Sequence, residues 1–220
     1  MVTLFDYDLT LYGEEERFVL DSLDRRIALF VQKTIGSDFE TATKIRKDYL
    51  LRFGTTLSGL MQMNGVNPDD FFDFIHEREY LVYPSRSQEK ISLIESIPGA
   101  RYVFTNGRGD WSYAGMESMG ILGLMDGIFD LKQMDWVGKP HESAYVKMEE
   151  FLVRKGTYIK RGVVLVEDSV RNLKPAHDRG WITVLVNPNV DTPEFVDFHI
   201  PYLLDFPLTD IIYRCNNPPC

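Results

Sequence analysis

Cysteine is nearly missing from this 220-residue chain: there are two, Cys215 and Cys220, both in the closing stretch YRCNNPPC. They cannot staple a core, and a reducing, cytoplasmic compartment is the expectation. Long apolar runs are missing too; none approaches the roughly eighteen residues of a membrane span. The start of the chain has no basic segment followed by an apolar core, so no secretory signal is expected. There is no block of basic residues, and the formal net charge is −9. That excludes a broad phosphate-contacting face for a nucleic-acid polymer. It does not exclude a small anionic substrate, because a metal ion and a few placed donors can dominate a site locally. Low-complexity tracts and internal repeats are also absent. What remains is ordinary globular composition, 44% hydrophobic and 26% charged. It suffices for one large domain or a domain with a sizeable insertion.

Four short runs are almost wholly apolar: VTLFDY (2–7), RYVFT (101–105), GVVLVE (162–167) and WITVLV (181–186). Runs of this kind read as strands buried on both faces of a parallel sheet. Helical patterns lie between them, over about 88–96, 110–120, 142–155 and 169–179, with edges marked by Pro98-Gly99 and Gly180. Strand alternating with helix predicts an α/β fold with a doubly wound parallel sheet. The ligand crevice of such a sheet lies beyond the carboxyl ends of its strands.

The connection from Asp8 to Thr105 is far longer than a one-helix crossover needs. It reads as helical throughout, in FVLDSLDRRIALFVQ, FETATKIRKDYLLRF and shorter patterns around LSGLMQM and DDFFDFIHE. Gly36-Ser37-Asp38 and Asn67-Pro68 supply turn and cap signals between them. The expected division is a core of 1–12 with 85–210, an inserted all-helical subdomain over 13–84, and a frayed tail over 211–220. The stretch FHIPYLLDFPL before that tail is expected to end the sheet and pack back on the core.

The chemistry gathers at the strand ends. Asp6 and Asp8 stand one residue apart in FDYDLT; Thr105 and Asn106 follow the second strand in FTNGRGD. Lys139 precedes a helix in VGKPHES, and Glu167-Asp168 closes the third strand in VLVEDS. Each has an ordinary reading alone: a solvated turn, a Thr-Asn-Gly turn, a surface loop, a helix cap. Their convergence on one edge of one sheet favours a functional site.

The order FDYDLT, FTN, GKP, EDS resembles the haloacid dehalogenase-like (HAD) hydrolase superfamily, from Val2 to about Pro188. Within the insertion YLLRFGTTLSGLM, together with FTNGRGD and VEDSVRNL, is similar to the pyrimidine 5′-nucleotidase-like branch. The resemblance implies a Rossmann-like core with a helical cap, and a phosphoric monoester hydrolase that forms an aspartyl-phosphate. Asp6 matches the nucleophile, and Asp8 the general acid that later serves as base. Mg²⁺ would take the Asp6 carboxylate, the Asp8 backbone carbonyl and Asp168, with Glu167 nearby or reached through water. Thr105, the Asn106 amide and Lys139 would hold the phosphoryl oxygens. Ser169 and Asn172 are candidates around the metal, or ordinary helix-capping residues.

Dehalogenases of this superfamily lack the second aspartate, so Asp8 argues for phosphate chemistry. Two positions depart from the family pattern: Leu9, where Gly, Asn or Ser is more frequent, and Glu167 in place of an Asp. The implied partner is a small phosphorylated metabolite, with nucleoside 5′-monophosphates as the expected class. Sugar-phosphate phosphatases and phosphomutases share the same residue set. A phospho-accepting receiver also carries Asp, Thr and Lys on a parallel sheet, but there the Lys follows the Thr on a later strand and no large lid is inserted. Candidate cap contacts are Tyr49, Arg52, Thr55 and Thr56, which equally suit packing, snorkelling and a turn. His76 reads as structural, and Arg108 as entrance or surface.

Overall fold

The computed structural model describes residues 1–157 and 162–217. In chain order the elements are β1 (Val2–Phe5), α1 (Phe18–Ile35), α2 (Phe39–Phe53), α3 (Thr56–Asn64), α4 (Pro68–Ile75), α5 (Gln88–Ser96), β2 (Ala100–Phe104) and α6 (Gly109–Met119). There follow β3 (Gly127–Phe129), α7 (Glu142–Arg154), β4 (Val163–Glu167), α8 (Val170–Asp178), β5 (Ile182–Val186), β6 (Phe198–Ile200) and α9 (Leu208–Asn216). The chain divides into two compact units, residues 1–15 with 84–220, and residues 16–83.

The first unit is built on one six-stranded sheet in the order β3-β2-β1-β4-β5-β6. Every neighbouring pair is parallel. β1, β4 and β5 are buried at every residue, which requires cover on both faces and explains their uninterrupted apolar sequence. A chain of aromatic contacts fills one part of the core. Phe104 meets Phe129 and Tyr145, Phe129 meets Phe151, and Tyr145 meets Trp181, at centroid separations of 5.9, 5.5, 5.0 and 5.8 Å. Because all strands run one way, their carboxyl ends share one edge. β1 pairs Phe5 with Val103 on one side and Val166 on the other. Asp6 therefore lies level with Phe104 and Glu167, one residue further on.

The four buried strands and their helices fall where the apolar runs place them, with β1 ending at Phe5, ahead of the acidic pair. The two outermost strands, β3 and β6, have three residues each. β3 has too few residues for an apolar run to reveal it, while β6 ends the sheet within FHIPYLLDFPL. Of the tail expected to fray over 211–220, the part through Asn216 is helical, in α9, and residues 218–220 lie outside the described residues. Ile211 is wholly buried and Arg214 pairs with Asp197 at 2.5 Å, so the helix is anchored on one face. Cys215 is a free thiol on this helix, and Cys220 lies outside the described residues.

The second unit contains α1 to α4. Its turns are cut by the predicted signals: Gly36 ends α1 at φ 72°, Asp38 accepts from the Thr41 amide, and Asn67 caps α4 with Pro68 at its first turn. Phe30 packs edge-on against Phe71 and Phe74. The buried Arg26 guanidinium lies 4.1 Å from the Phe74 ring centre and pairs with Glu77 at 2.6 Å. No helix among the described residues is long and apolar enough to cross a membrane.

Candidate active site

The carboxyl edge of the sheet brings the end of β1 beside the end of β4. The Asp6 amide continues the ladder by donating to the Val166 carbonyl at 2.9 Å, which fixes its Cα beside Glu167. The Lys139 side chain reaches the same place from the loop ahead of α7. Its Nζ donates to Asp6 Oδ1 at 2.9 Å and to Glu167 Oε2 at 2.6 Å, and the side chain is wholly buried. The second oxygen of Glu167 accepts from the Ser169 amide at 3.2 Å. Asp168 completes the group: one carboxylate oxygen each from Asp6, Glu167 and Asp168 lies within 4.8 Å of the others.

Three carboxyls against one ammonium leave this buried cluster rich in negative charge. Burial, and then the charge of Glu167, push the Asp6 carboxyl up to about 7 against the opposing pull of Lys139. Burial with the charges of Glu167 and Asp6 pushes Asp168 up to about 10. Burial alone would lower the Lys139 ammonium, but Asp6 and Glu167 outweigh it and hold it above its ordinary value. The cluster is thus made to take up positive charge, as protons or as a cation.

The Lys139 loop is held by a two-point clamp. Asn106, just past β2, donates from Nδ2 to the Lys139 carbonyl at 2.8 Å and accepts from the Lys139 amide at 2.7 Å. The clamp needs a glycine beside it, because a Cβ on Gly138 would sit 2.3 Å from Asn106 Oδ1. Gly138→Ala should therefore lower stability by about 1–3 kcal/mol, read by urea unfolding. An unchanged midpoint would show that the clamp yields freely. Thr105 is buried, its Oγ1 accepting from the Gly107 amide at 3.0 Å.

Asp8 stands in the turn after β1, half-buried. Its Oδ1 accepts from the Tyr12 hydroxyl at 2.5 Å and from Trp111 Nε1 at 2.9 Å. Neither aromatic stood out in the sequence, since apolar periodicity says nothing about the polar atom an aromatic carries. Leu9 has φ 57°, a left-handed conformation that Gly and Asn enter most readily, which accounts physically for the residues frequent there in the resembled family. Leu9 and Asp168, with Val186, Asn187, Tyr202 and Leu203, help line a cavity of about 360 Å³. Ser169 starts α8 without capping it through its side chain, and the Asn172 carbonyl accepts from Tyr145 at 2.5 Å.

The residues singled out in the helical unit have partners there. Tyr49 is buried, bonds Asn64 Oδ1 at 3.1 Å and packs edge-on against Phe53. Arg52 pairs with Asp48 at 2.9 Å, Thr55 caps α3, and Thr56 donates to the Arg46 carbonyl at 3.2 Å. His76 lies against Phe72, and Arg108 grips Asp110 through two nitrogens.

No protein-family model matches the chain. Solved structures do. The HAD phosphatase of Thermococcus onnurineus is 17% identical, with a TM-score of 0.63 over 96% of this chain and 97% of its own. The HAD-family protein YfnB of Bacillus subtilis, solved with magnesium bound, is 17% identical with a TM-score of 0.60 over 98% of both chains. This chain has the HAD fold. L-2-haloacid dehalogenase of Xanthobacter autotrophicus, with chloropropionic acid covalently bound, shares the same HAD fold at 16% identity, with a TM-score of 0.55 over 99% of this chain and 98% of its own. Phosphatases and dehalogenases thus share this HAD architecture, and the side chains at the sheet edge must separate them.

Proposed function

We propose that the chain is a Mg²⁺-dependent phosphomonoesterase working through an aspartyl-phosphate on Asp6, with nucleoside 5′-monophosphates as its substrate class. The observation that carries this reading is the buried group of Asp6, Lys139, Glu167 and Asp168 at the carboxyl edge, with Asp8 two residues beyond. Asp6 attacks phosphorus while the ester oxygen departs with a proton from Asp8. Water then attacks the aspartyl-phosphate, returns a proton to Asp8, and the bond to Asp6 breaks. Lys139 and Thr105 steady the phosphoryl oxygens. A dehalogenase has no use for a proton donor at position 8, and here two aromatic donors hold one.

The carboxylates suit a hard divalent cation, which favours oxygen ligands. Asp6, Asp168 and the Asp8 carbonyl would hold Mg²⁺, which when bound neutralises charge on the transferring group. Glu167 spends both oxygens on Lys139 and the Ser169 amide, which favours a supporting role. The buried Asn172 Oδ1 has no hydrogen-bond partner among the described residues, four positions after Asp168 in the chain. The nucleotide class rests on the cap wording around YLLRFGTT, and the cavity beside Asp168 falls within the size range of small-molecule sites.

The test is released phosphate over a panel of nucleotides and sugar phosphates, with Mg²⁺ and with chelator. Metal-dependent turnover led by nucleotides supports the reading. Turnover led by sugar phosphates removes the substrate class and keeps the chemistry; no phosphate release from any ester removes both.

The cluster also sets a pH dependence. The carboxyls of Asp6 and Asp168 lie above their ordinary 3.8, so the folded state binds protons that the unfolded state has released. Stability of the metal-free protein should be greatest below about pH 4 on their account, and fall as pH rises through 7 toward 10. Mg²⁺ takes the place of those protons, so it should raise the melting temperature more at about pH 8.5 than at about pH 5. Equal shifts at both would disconnect the cation from these carboxyls.

A further inference from the structure

The two donors on Asp8 meet at a single oxygen. Trp111 Nε1 can only donate, so it takes one of the two acceptor directions of Asp8 Oδ1. The Tyr12 hydroxyl occupies the same oxygen from a second direction. With two donors engaged at Oδ1, a proton carried by Asp8 is favoured on Oδ2. We propose that Tyr12 and Trp111 are positioning residues that fix which oxygen of Asp8 carries the transferable proton, an assignment that rests on the phosphomonoesterase reading above.

The surroundings are built to keep both donors in place. Tyr12 and Trp111 are fully buried. Each meets the Tyr7 ring edge-on, at centroid distances of 5.2 and 6.0 Å, so Tyr7 serves as a common post between them. Tyr7 itself reaches against α6 where Gly115 leaves room: a Cβ there would lie 1.5 Å from its hydroxyl oxygen. Trp111 belongs to the first turn of α6, and its amide donates to the Arg108 carbonyl in the loop that follows Thr105. The proton donor is thus registered to the same segment that carries Thr105 and Asn106. Aromatic packing alone would not bring an indole N–H and a phenol O–H onto one carboxylate oxygen.

In the first step the bond from Asp6 to phosphorus forms, the bond from phosphorus to the ester oxygen breaks, and the proton passes from Asp8 Oδ2 to that oxygen. An alkoxide needs that proton; a nitrophenolate leaves without it. Benzyl phosphate and 4-nitrophenyl phosphate are similar in shape and differ in this demand. Trp111→Phe and Tyr12→Phe should each lower kcat/KM for benzyl phosphate by about tenfold or more, and for 4-nitrophenyl phosphate by less than about threefold. Tyr12→Phe removes one oxygen and keeps the ring, so the test stands if Trp111→Phe does not fold. Selective loss in a folded variant supports the assignment. Equal loss on both esters marks the pair as structural and overturns it, as does no loss on benzyl phosphate. Wild-type protein that releases phosphate from neither ester with Mg²⁺ present refutes the hydrolase reading, and this assignment with it.

Discussion

Asp6→Asn is expected to reduce phosphate release by at least about 10⁴-fold and, at alkaline pH without metal, to stabilise the fold. The first effect follows from chemistry: an amide of the same shape cannot form the aspartyl-phosphate. The second follows from electrostatics. Asp6, Glu167 and Asp168 crowd one buried space against the single ammonium of Lys139, and Asp6 is forced up to about 7. Above that pH the folded protein must hold a carboxylate that burial and Glu167 both disfavour, and Asn removes it. Below about pH 4 Asp6 is protonated in the folded and the unfolded state alike, so there the substitution should leave stability almost unchanged, and the gain should grow as pH rises toward about 7. Phosphate assays and urea unfolding at both pH values read the two effects separately. Retention of more than about a hundredth of the activity would assign the phosphoryl group to another residue.

Lys139→Met should cost about 3–5 kcal/mol of stability at neutral pH and at least about 100-fold in activity. The methionine stem fills much of the space, so the principal loss is the charge. Nζ bonds both Asp6 and Glu167 in a space closed to solvent, and its removal leaves carboxylates with no cation among these contacts. The loop itself should stay, because Asn106 grips the backbone of Lys139 rather than its side chain. Acid relieves the repulsion by protonation, so the stability loss should shrink toward pH 5. Denaturant midpoints of wild type and variant across that range decide it. A loss independent of pH would mean that packing, not charge, is what Lys139 contributes.

Strands β1, β2, β4 and β5 were legible because burial on both faces favours apolar residues at most positions within them, leaving a mark that four or five letters can carry. β3 was not, because its three residues are too short to leave one. The tail misled for a different reason. Its Asn-Asn-Pro-Pro ending suggests fraying, while what holds α9 is a single buried Ile211 and a pairing of Arg214 with Asp197, visible only after folding. At the site, Asp6, Glu167, Asp168 and Lys139 were legible as residue types at strand and loop ends. Their mutual contacts depend on the register of β1 against β4, which no local pattern encodes. Tyr12 and Trp111 escaped because each reads as core, and each is; the second role lies in one polar atom.

The position of β1 has a consequence for how the protein is made. Its flanking strands, β2 and β4, come about a hundred and about 160 residues later in the chain. At usual rates of synthesis, about 5–20 residues per second, VTLF waits on the order of ten seconds or more before both partners exist. The helices of 16–83 contact neighbours close in sequence and can form in that interval, whereas the sheet depends on long-range pairing and closes late. One of the two central strands of the sheet is therefore the first of the six to be synthesised and among the last to be completed. Until then its apolar residues are exposed to whatever else the nascent chain meets.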